Sequence, residues 1–327
     1  MAGKNLIRLT LALVLAVILG YGLFMLSNLS DSRPQSVIVV LKNKQITAQF
    51  WRVVTAGIHA AAEEYKLNVT LTGGSGESDV DGQIQAIEEA IRQKPDAIVL
   101  AAADYDRLVA VGEKIKKSGI ALILIDSGIR SNVADSLITT NNAAAGTRAG
   151  QLLHHLLEPE SSVAVISYVR GSQSAIDRES GVISGLQALN RERRTETFYC
   201  DDDQEKARQT VADLLRTHRD IGGIVGLNEV SSLGAAQAID ELGLNGKVKL
   251  VGFDNSYEEV AFLQKGTIQH MIVQMPFKIG YLGIQAASDV LNGKKIPPFI
   301  DTGSAAISKD NIDKDENQQI LFPFLQE

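Results

Sequence analysis

The chain has 327 residues, a formal net charge of −7 at pH 7, and a composition typical of globular proteins, with 45% hydrophobic and 22% charged residues. This length favours two lobes over a single core, and the absence of a long basic block argues against nucleic acid as a partner. The single cysteine, Cys200, excludes an intrachain disulfide and a cysteine zinc cluster, and the five histidines show no metal-binding spacing. We expect no cofactor.

The N-terminal 35 residues predict how the protein is attached to the membrane and on which side its body lies. Lys4 and Arg8 precede an apolar run over residues 9–26, which is near the minimum length for a membrane span. Positive charge before the run and none close after it predicts an extracytoplasmic body. We favour an uncleaved single-pass anchor followed by a linker over residues 28–35. A cleaved signal peptide is the alternative, although no small-x-small site follows the run cleanly. A lipoprotein is excluded because no cysteine follows the run, and a buried cytosolic helix is disfavoured because the run is not amphipathic.

After the linker, strands and helices alternate in two consecutive sets. Continuous apolar runs such as 36–41 are typical of strands buried on both faces. The first set predicts strands at 36–41, 67–72, 96–101, 121–126 and 136–140, and helices at 49–65, 80–93 and 104–118. The second set predicts helices at 143–157, 174–189, 204–216, 231–242, 257–265 and 276–291, and strands at 162–167, 195–200, 222–227, 247–252 and 267–273, before an extended stretch at 299–306.

Two sets of repeated strand–helix units predict an α/β fold with two Rossmann-like lobes, each built on a parallel sheet. The second set has one unit too many, so we expect the helix at 276–291 to return to the first lobe. The chain would then cross between the lobes several times and form a hinge. The predicted lobes are residues 36–140 plus 275–301 and residues 141–274 plus 302–327.

Polar and aromatic side chains at the strand ends predict a ligand-binding cleft, because ligands bind at the carboxyl edges of open parallel sheets. Asp254 stands at such an edge, where Gly252 is expected to let the chain turn. A carboxylate can accept two hydrogen bonds from neighbouring hydroxyls, and an aromatic face stacks on the C–H face of a sugar ring. Such a set fits a neutral polyol in a closed cleft. The other candidates are Phe50, Trp51, Asp126, Arg178, Asn228 and Gln274.

Each of these residues also has a structural alternative. Asp254 and Asn228 could cap the helices that follow them, and one of the two adjacent aromatic residues could belong to the core. Arg178 could pair with a neighbouring acid at the surface, and Gln274 could be a turn residue. The glycine-rich loop at 73–78 lacks the Lys-Ser/Thr of a phosphate-binding loop, which disfavours a nucleotide ligand.

As an ordered series, the motifs at the strand ends resemble those of the ribose- and galactose-type periplasmic sugar-binding proteins, which have the type I periplasmic binding fold and share their core with the lactose-repressor family. These motifs are Gln49-Phe50-Trp51, Leu124-Ile125-Asp126, Thr140-Asn141-Asn142, Asp177-Arg178-Glu179-Ser180-Gly181, Leu227-Asn228-Glu229, Val251-Gly252-Phe253-Asp254 and Gln274-Met275-Pro276.

The resemblance covers about residues 37–301 and implies that Phe50 and Trp51 sandwich a sugar. It implies hydrogen bonds to the sugar hydroxyls from Asp126, Arg178, Asn228, Asp254 and Gln274. It also implies three hinge strands, at Thr140-Asn141, Gln274-Met275 and Asp301-Thr302.

Three positions depart from the ribose binders and leave the identity of the sugar open. Ala48 stands where those proteins have asparagine, Ser127 where they have arginine, and Asp202 near a position that is aromatic in them. Ser127 and Asp202 complete our set of candidate ligand-binding residues. A DNA-binding repressor is disfavoured because a membrane segment replaces the helix-turn-helix.

The resemblance implies a partner that reads closure of the lobes, either an ABC permease or a membrane sensor kinase. The predicted anchor favours the sensor, because tethering raises the local concentration near one partner. Two other classes remain open. One is a carbohydrate-acting enzyme on the same fold that uses Asp126 and Asp254 for acid–base chemistry, and the other is a signalling ectodomain whose cleft has lost its ligand.

Overall fold

The computed structural model describes residues 14–21, 34–45, 48–187 and 194–322, and the chain divides into two units, Met1–Gln35 and Ser36–Glu327. In the first unit, residues 14–21 form a helix (α1) whose large apolar side chains are exposed. Within the four described ranges, no helix combines the length and apolar character needed to cross a bilayer. The rest of the predicted membrane run, and most of the predicted linker, lie outside the described residues.

The second unit alternates strands and helices from its first residue. Its strands are β1 (Ser36–Leu41), β2 (Asn68–Gly73), β3 (Ala97–Leu100), β4 (Ala121–Ile125), β5 (Ser136–Thr139), β6 (Ser162–Ser167), β7 (Thr195–Tyr199), β8 (Ile221–Gly226), β9 (Lys249–Phe253), β10 (His270–Gln274), β11 (Phe299–Asp301) and β12 (Ser304–Ser308). Its helices are α2 (Gln49–Tyr65), α3 (Val80–Arg92), α4 (Val109–Lys117), α5 (Asn142–Leu156), α6 (Gln173–Gln187), α7 (Gln204–Thr217), α8 (Glu229–Glu241), α9 (Tyr257–Lys265), α10 (Pro276–Leu291) and α11 (Asp315–Leu321).

The strands form two six-stranded sheets, each the centre of one lobe. The first has the order β11-β5-β4-β3-β1-β2 and the second the order β12-β10-β9-β8-β6-β7. All pairings are parallel except that between β10 and β12. In each sheet the strand order reverses beside the first strand, β1 or β6, and such a switch point is where open α/β sheets bind ligands.

The burial of the strands explains why these sequences form sheets covered on both faces. β3 and β6 are buried along their whole length, whereas the edge strand β2 is exposed or partly buried at every residue except Gly73. The two sheets, each covered by helices, confirm the predicted fold class of two α/β lobes with mainly parallel sheets.

Helix α10 returns to the first lobe, as the surplus unit in the sequence predicted. It packs on α2 and on β3 and β4. The helices approach closely because Gly57 and Gly280 carry no side chain; a Cβ at Gly57 would lie 2.2 Å from the carbonyl oxygen of Phe277. The chain therefore passes between the lobes three times: after β5, between β10 and α10, and between β11 and β12.

Several element boundaries differ from the predictions. The expected helix at 104–118 begins only at Val109, because the carboxylate of Asp104 accepts from the backbone N–H groups of Asp106 and Arg107, and the N–H of Tyr105 donates to the carbonyl of Gly171 in the second lobe. The extended stretch at 299–306 is two strands in different sheets. The polar helix α11 was not predicted at all.

Candidate functional site

The carboxyl edges of the two sheets face each other across a small cavity. The residues around it come from both lobes and are mostly charged, amide or aromatic. They are Lys42, Ala48, Phe50, Trp51, Glu77, Asp126, Tyr168, Arg178, Asp202, Asn228, Glu229, Val230, Asp254 and Gln274.

Lys42 follows β1 directly and is only 1% exposed. Its Nζ lies 2.7 Å from Oδ2 of Asp126 and 3.7 Å from Oε2 of Glu77, and it donates to Oγ of Ser172 in the second lobe at 3.2 Å. Burial alone would lower the pKa of Lys42, but the charges of Asp126 and Glu77 outweigh burial and raise that pKa. Lys42 is therefore a charged group at the floor of the cavity that touches both lobes.

Phe50 and Trp51 lie in the first turn of α2, and both are buried and line the cavity. Their rings meet edge to face, with centroids 5.0 Å apart. Nε1 of Trp51 donates to Oε1 of Glu77 at 2.9 Å, which fixes the orientation of the indole. The alternative that one of the two aromatic residues serves only the core is not supported, because each contributes to the cavity wall.

The first turn of α2 is capped from the other lobe. Ala48 at its N-cap has no side chain that could accept a hydrogen bond. Instead, the backbone N–H groups of Gln49 and Phe50 donate to the carboxylate of Glu229, each at 3.3 Å. A carboxylate at a helix N-terminus is favourable because it meets the positive end of the helix dipole. This contact joins the lobes directly at the cavity.

Arg178 is 2% exposed and points from α6 into the cavity. Its Nε donates to Oδ1 of Asn142 at 2.8 Å and its NH1 to the carbonyl of Leu227 at 2.7 Å, while NH1 lies 3.9 Å from Oδ2 of Asp254. The guanidinium also lies 4.7 Å from the ring centroid of Phe253. The alternative of a surface ion pair for Arg178 is therefore wrong.

Asp254 follows β9 and accepts two hydrogen bonds inside the protein. Nε2 of Gln274 donates to Oδ1 at 2.6 Å, and the backbone N–H of Glu229 donates to Oδ2 at 3.2 Å. Burial raises the pKa of Asp254, and the charge of Arg178 opposes that effect. Asp254 does not cap the next helix, because Ser256 caps α9. Gly252 lies within β9, so the turn comes at Asp254 and not at Gly252 as predicted.

Three predicted site residues have a left-handed backbone. The φ angles are 60° at Asp126, 60° at Asp202 and 72° at Asp254. A side chain at positive φ costs of order 1–3 kcal/mol in general, and aspartate tolerates it better than most residues. Because such strain concentrates at ligand sites, the three carboxylates support this edge of the sheets as the candidate site.

Asn228 has two roles, one structural and one in the cavity. Its Oδ1 accepts from the backbone N–H of Ser231 at 2.9 Å, so it caps α8 as the sequence allowed. Its Nδ2 donates to Oδ1 of Asp202 at 2.8 Å. Burial, and then the charge of Glu77, raise the pKa of Asp202 to about 8. Burial likewise raises the pKa of Glu229 to about 7.

Eight of the nine predicted ligand-binding residues line this cavity, and Ser127 does not. Ser127 is 1% exposed and lies behind Asp126. Its Oγ donates to Oδ2 of Asp126 at 3.1 Å and lies 2.9 Å from Oγ of Ser174 in the other lobe. Ser127 therefore supports Asp126 and the contact between the lobes. The assignment of the eight remaining residues to ligand binding stays a prediction.

The candidate set omitted Lys42, Glu77, Tyr168 and Glu229. Lys42 had a signal in the sequence, since it is a charged residue directly after a continuous buried strand and thus at the carboxyl edge. Glu77 lies in the glycine-rich loop at 73–78, which was weighed only as a phosphate loop. Glu229 follows Asn228 in a motif that was noted. Among the described residues, no cluster of His, Cys, Asp or Glu could hold a metal ion.

A larger cavity adjoins the site and shares only Gln274 with it. It lies between α10 and α11, where Lys278 and Glu316 are exposed. It lacks the converging buried charges of the smaller cavity, which is therefore the candidate ligand site.

Comparisons with known proteins agree with this architecture. The family model described as "Periplasmic binding protein domain" matches residues 37–295. The chain is 24% identical over 300 residues to the ribose import binding protein of Bacillus subtilis, covering 87% of this chain and 95% of that protein. Its fold is similar to a sugar transporter structure from Clostridium phytofermentans, with 39% identity, a TM-score of 0.79 and coverage of 84% and 100% of the two chains.

A second similar structure is an ABC transporter solute-binding protein from Agrobacterium vitis with bound D-fucose. It is 31% identical, has a TM-score of 0.84, and the match covers 88% of this chain and 99% of that one. Since the family model spans most of the chain and the fold and cavity agree with it, the protein belongs to the periplasmic binding protein domain family.

Proposed function

We propose that the protein binds a monosaccharide or a related polyol in the cavity between its lobes. The observation that carries this proposal is the convergence of carboxylates, an arginine, amides and two aromatic rings from both lobes on one small cavity. Planar polar groups of this kind pair with several hydroxyls at once, and the aromatic rings offer a face to the ring carbons. The named ligands of the relatives, ribose and D-fucose, are monosaccharides.

The protein is a binding protein and not an enzyme, in agreement with relatives that are named as binding or transport proteins. The two carboxylates considered for acid–base chemistry are already engaged. Asp126 is paired with Lys42, and Asp254 accepts from Gln274 and from the backbone of Glu229. A hydrolase using these residues is therefore not favoured.

We propose further that the lobes comprise residues 36–140 plus 275–301 and residues 141–274 plus 302–327, and that they close on the sugar by motion at the three crossings. Two crossings are tied together: the backbone N–H of Asn141 donates to Oδ1 of Asp301 at 3.0 Å, and that of Thr302 to the carbonyl of Thr139 at 2.9 Å. A ligand that contacts both lobes stabilises the closed form by its extra contacts there.

The closed form would be read by a partner outside the cytoplasm. An ABC permease is the partner that the relatives support, since one of the similar structures is an ABC transporter solute-binding protein. A membrane sensor kinase is the alternative. We also propose that residues 9–26 tether the protein to the membrane, which fits the exposed apolar side chains of residues 14–21.

Titration calorimetry of the full-length protein in mild detergent tests the binding proposal. The panel comprises pentoses, hexoses, inositols and sugar alcohols. We expect at least one ligand with a dissociation constant near micromolar, and loss of its binding in Asp254→Asn. Asp213→Asn, which changes an exposed carboxylate on α7, should bind like the wild type. The absence of any binder across the panel would refute the proposal.

A further inference from the structure

The cavity between the lobes has an excess of acidic over basic side chains. Its side chains include five carboxylates and only two cations among the described residues. The carboxylates are Glu77, Asp126, Asp202, Glu229 and Asp254, and the cations are Lys42 and Arg178. A ligand that carries a carboxylate or phosphate would add to this excess, so the charges favour a neutral or a positively charged ligand.

The two cations and one helix terminus compensate three of the five carboxylates. Lys42 lies 2.7 Å from Asp126, and Arg178 lies 3.9 Å from Asp254. Glu229 accepts from two backbone N–H groups at the start of α2. These three carboxylates therefore have partners within the protein.

Glu77 and Asp202 are compensated less completely. Oε1 of Glu77 accepts from Trp51, but Oε2 is buried and accepts no hydrogen bond from any described residue; the ammonium of Lys42 is 3.7 Å away and belongs mainly to Asp126. The side chain of Glu77 is nine-tenths buried. Asp202 accepts a single hydrogen bond, from the neutral amide of Asn228. A buried carboxylate oxygen without a donor is costly, which points to a donor supplied by the ligand.

Glu77 and Asp202 also belong to different lobes. Glu77 lies between β2 and α3, and Asp202 lies between β7 and α7, yet both line the same cavity. When both are ionised they repel each other, and the charge of Glu77 accordingly helps to raise the pKa of Asp202. A positive charge between them would reverse the sign of this interaction and favour the closed form.

We propose that the ligand is an amino sugar or amino polyol whose protonated amine lies between Glu77 and Asp202. This inference rests on the proposed sugar-binding function and narrows it to one chemical class. The ammonium group has three donors, so it can satisfy Oε2 of Glu77 and a carboxylate oxygen of Asp202 together. A metal ion does not fit this position, because no group of described residues could ligate one. The remaining hydroxyls of the sugar would meet Asp126, Arg178 and Asp254.

Matched pairs of ligands test the proposal on the full-length protein in mild detergent. The pairs are glucosamine with glucose, galactosamine with galactose, and mannosamine with mannose, and the N-acetyl derivatives serve as uncharged controls. In at least one pair we expect the amine to bind roughly tenfold tighter or more than its parent sugar, the ratio given by one charge-assisted hydrogen bond. N-acetylation should abolish this advantage.

Two variants locate the amine. In Asp202→Asn and in Glu77→Gln, which keep the shapes of the side chains, the ratio of affinities for amine and parent should fall to about threefold or less. Asp213→Asn should leave the ratio unchanged. The second of the two cavity variants keeps the test decisive if the first does not fold.

The outcomes separate this inference from the function on which it rests. Parent sugars that bind as tightly as their amines would overturn the inference and leave sugar binding intact. An amine preference that survives both cavity variants would overturn the proposed position of the amine. Failure of every sugar and every amine to bind would overturn both proposals.

Discussion

The ion pair at the floor of the cavity provides a quantitative prediction for Lys42→Met. The substitution keeps the apolar stem but leaves the carboxylates of Asp126 and Glu77 buried without their cation. Removing one partner of a buried pair costs about 3–5 kcal/mol. For a protein of this size, a loss of that order lowers Tm by roughly 5–8 °C. We expect this shift at pH 7, where the unfolded chain ionises both carboxyls.

Scanning calorimetry at pH 7 and pH 4 measures the effect. The cost should shrink at pH 4, because protonated carboxyls no longer require a counter-charge. The double variant Lys42→Met/Asp126→Asn should recover part of the stability. Lys114→Met removes an exposed ion pair to Glu88 and should change Tm by no more than about 2 °C. A change of that small size for Lys42→Met, at both pH values, would refute the reasoning.

Three further predictions follow from close packing and burial. Gly57→Ala places a Cβ 2.2 Å from the carbonyl oxygen of Phe277 and should cost about 1–3 kcal/mol in a urea titration, whereas Gly76→Ala, with open space around it, should cost far less. Burial raises the pKa of Glu229 from 4.5 to about 7, so its contribution to stability is complete below pH 4.5 and is lost as the pH rises towards 7. The Tm of Glu229→Gln relative to the wild type should therefore increase between pH 4.5 and 8; a constant difference would contradict this sign. Burial raises the pKa of the Cys200 thiol to about 11, so iodoacetamide should label it only after unfolding, as mass spectrometry would detect.

The order of helices and strands could be predicted from the sequence, because hydrophobic periodicity and composition are properties of short stretches of the chain. The apolar runs predicted the sheets, and the polar residues after them predicted the cavity edge. Non-local pairing was harder. The stretch at 299–306 divides between β11 and β12 because its two halves pair with different sheets, which no local pattern reveals. Helix α11 has a polar sequence and owes its formation to packing of Leu321 and Asn317.

Single residues of the cavity show the same limit, because contacts between distant parts of the chain cannot be predicted from local sequence. Asp126 and Asp254 were found because both follow strands at the carboxyl edge, where open parallel sheets bind ligands. Lys42 was missed because a lysine after a strand is usually solvated, and only the folded chain brings Asp126 and Ser172 to its ammonium. Ser127 was included because it stands where the ribose binders have arginine, yet its hydroxyl contacts Asp126 and the other lobe's Ser174 and does not line the cavity.

The three passages of the chain between the lobes have a consequence for biosynthesis. The first lobe contains the earliest strands, but α10 and β11 complete it from residues 276–301. Domains usually fold as they emerge from the ribosome, starting from the N-terminus. Here the first lobe cannot be completed until nearly the whole polypeptide has been synthesised. Until then its β5 edge and the side of α2 that faces α10 stay uncovered. The second lobe needs only β12 and α11 from beyond β10, so the lobe encoded in the middle of the chain is largely assembled before the one encoded at its start is closed.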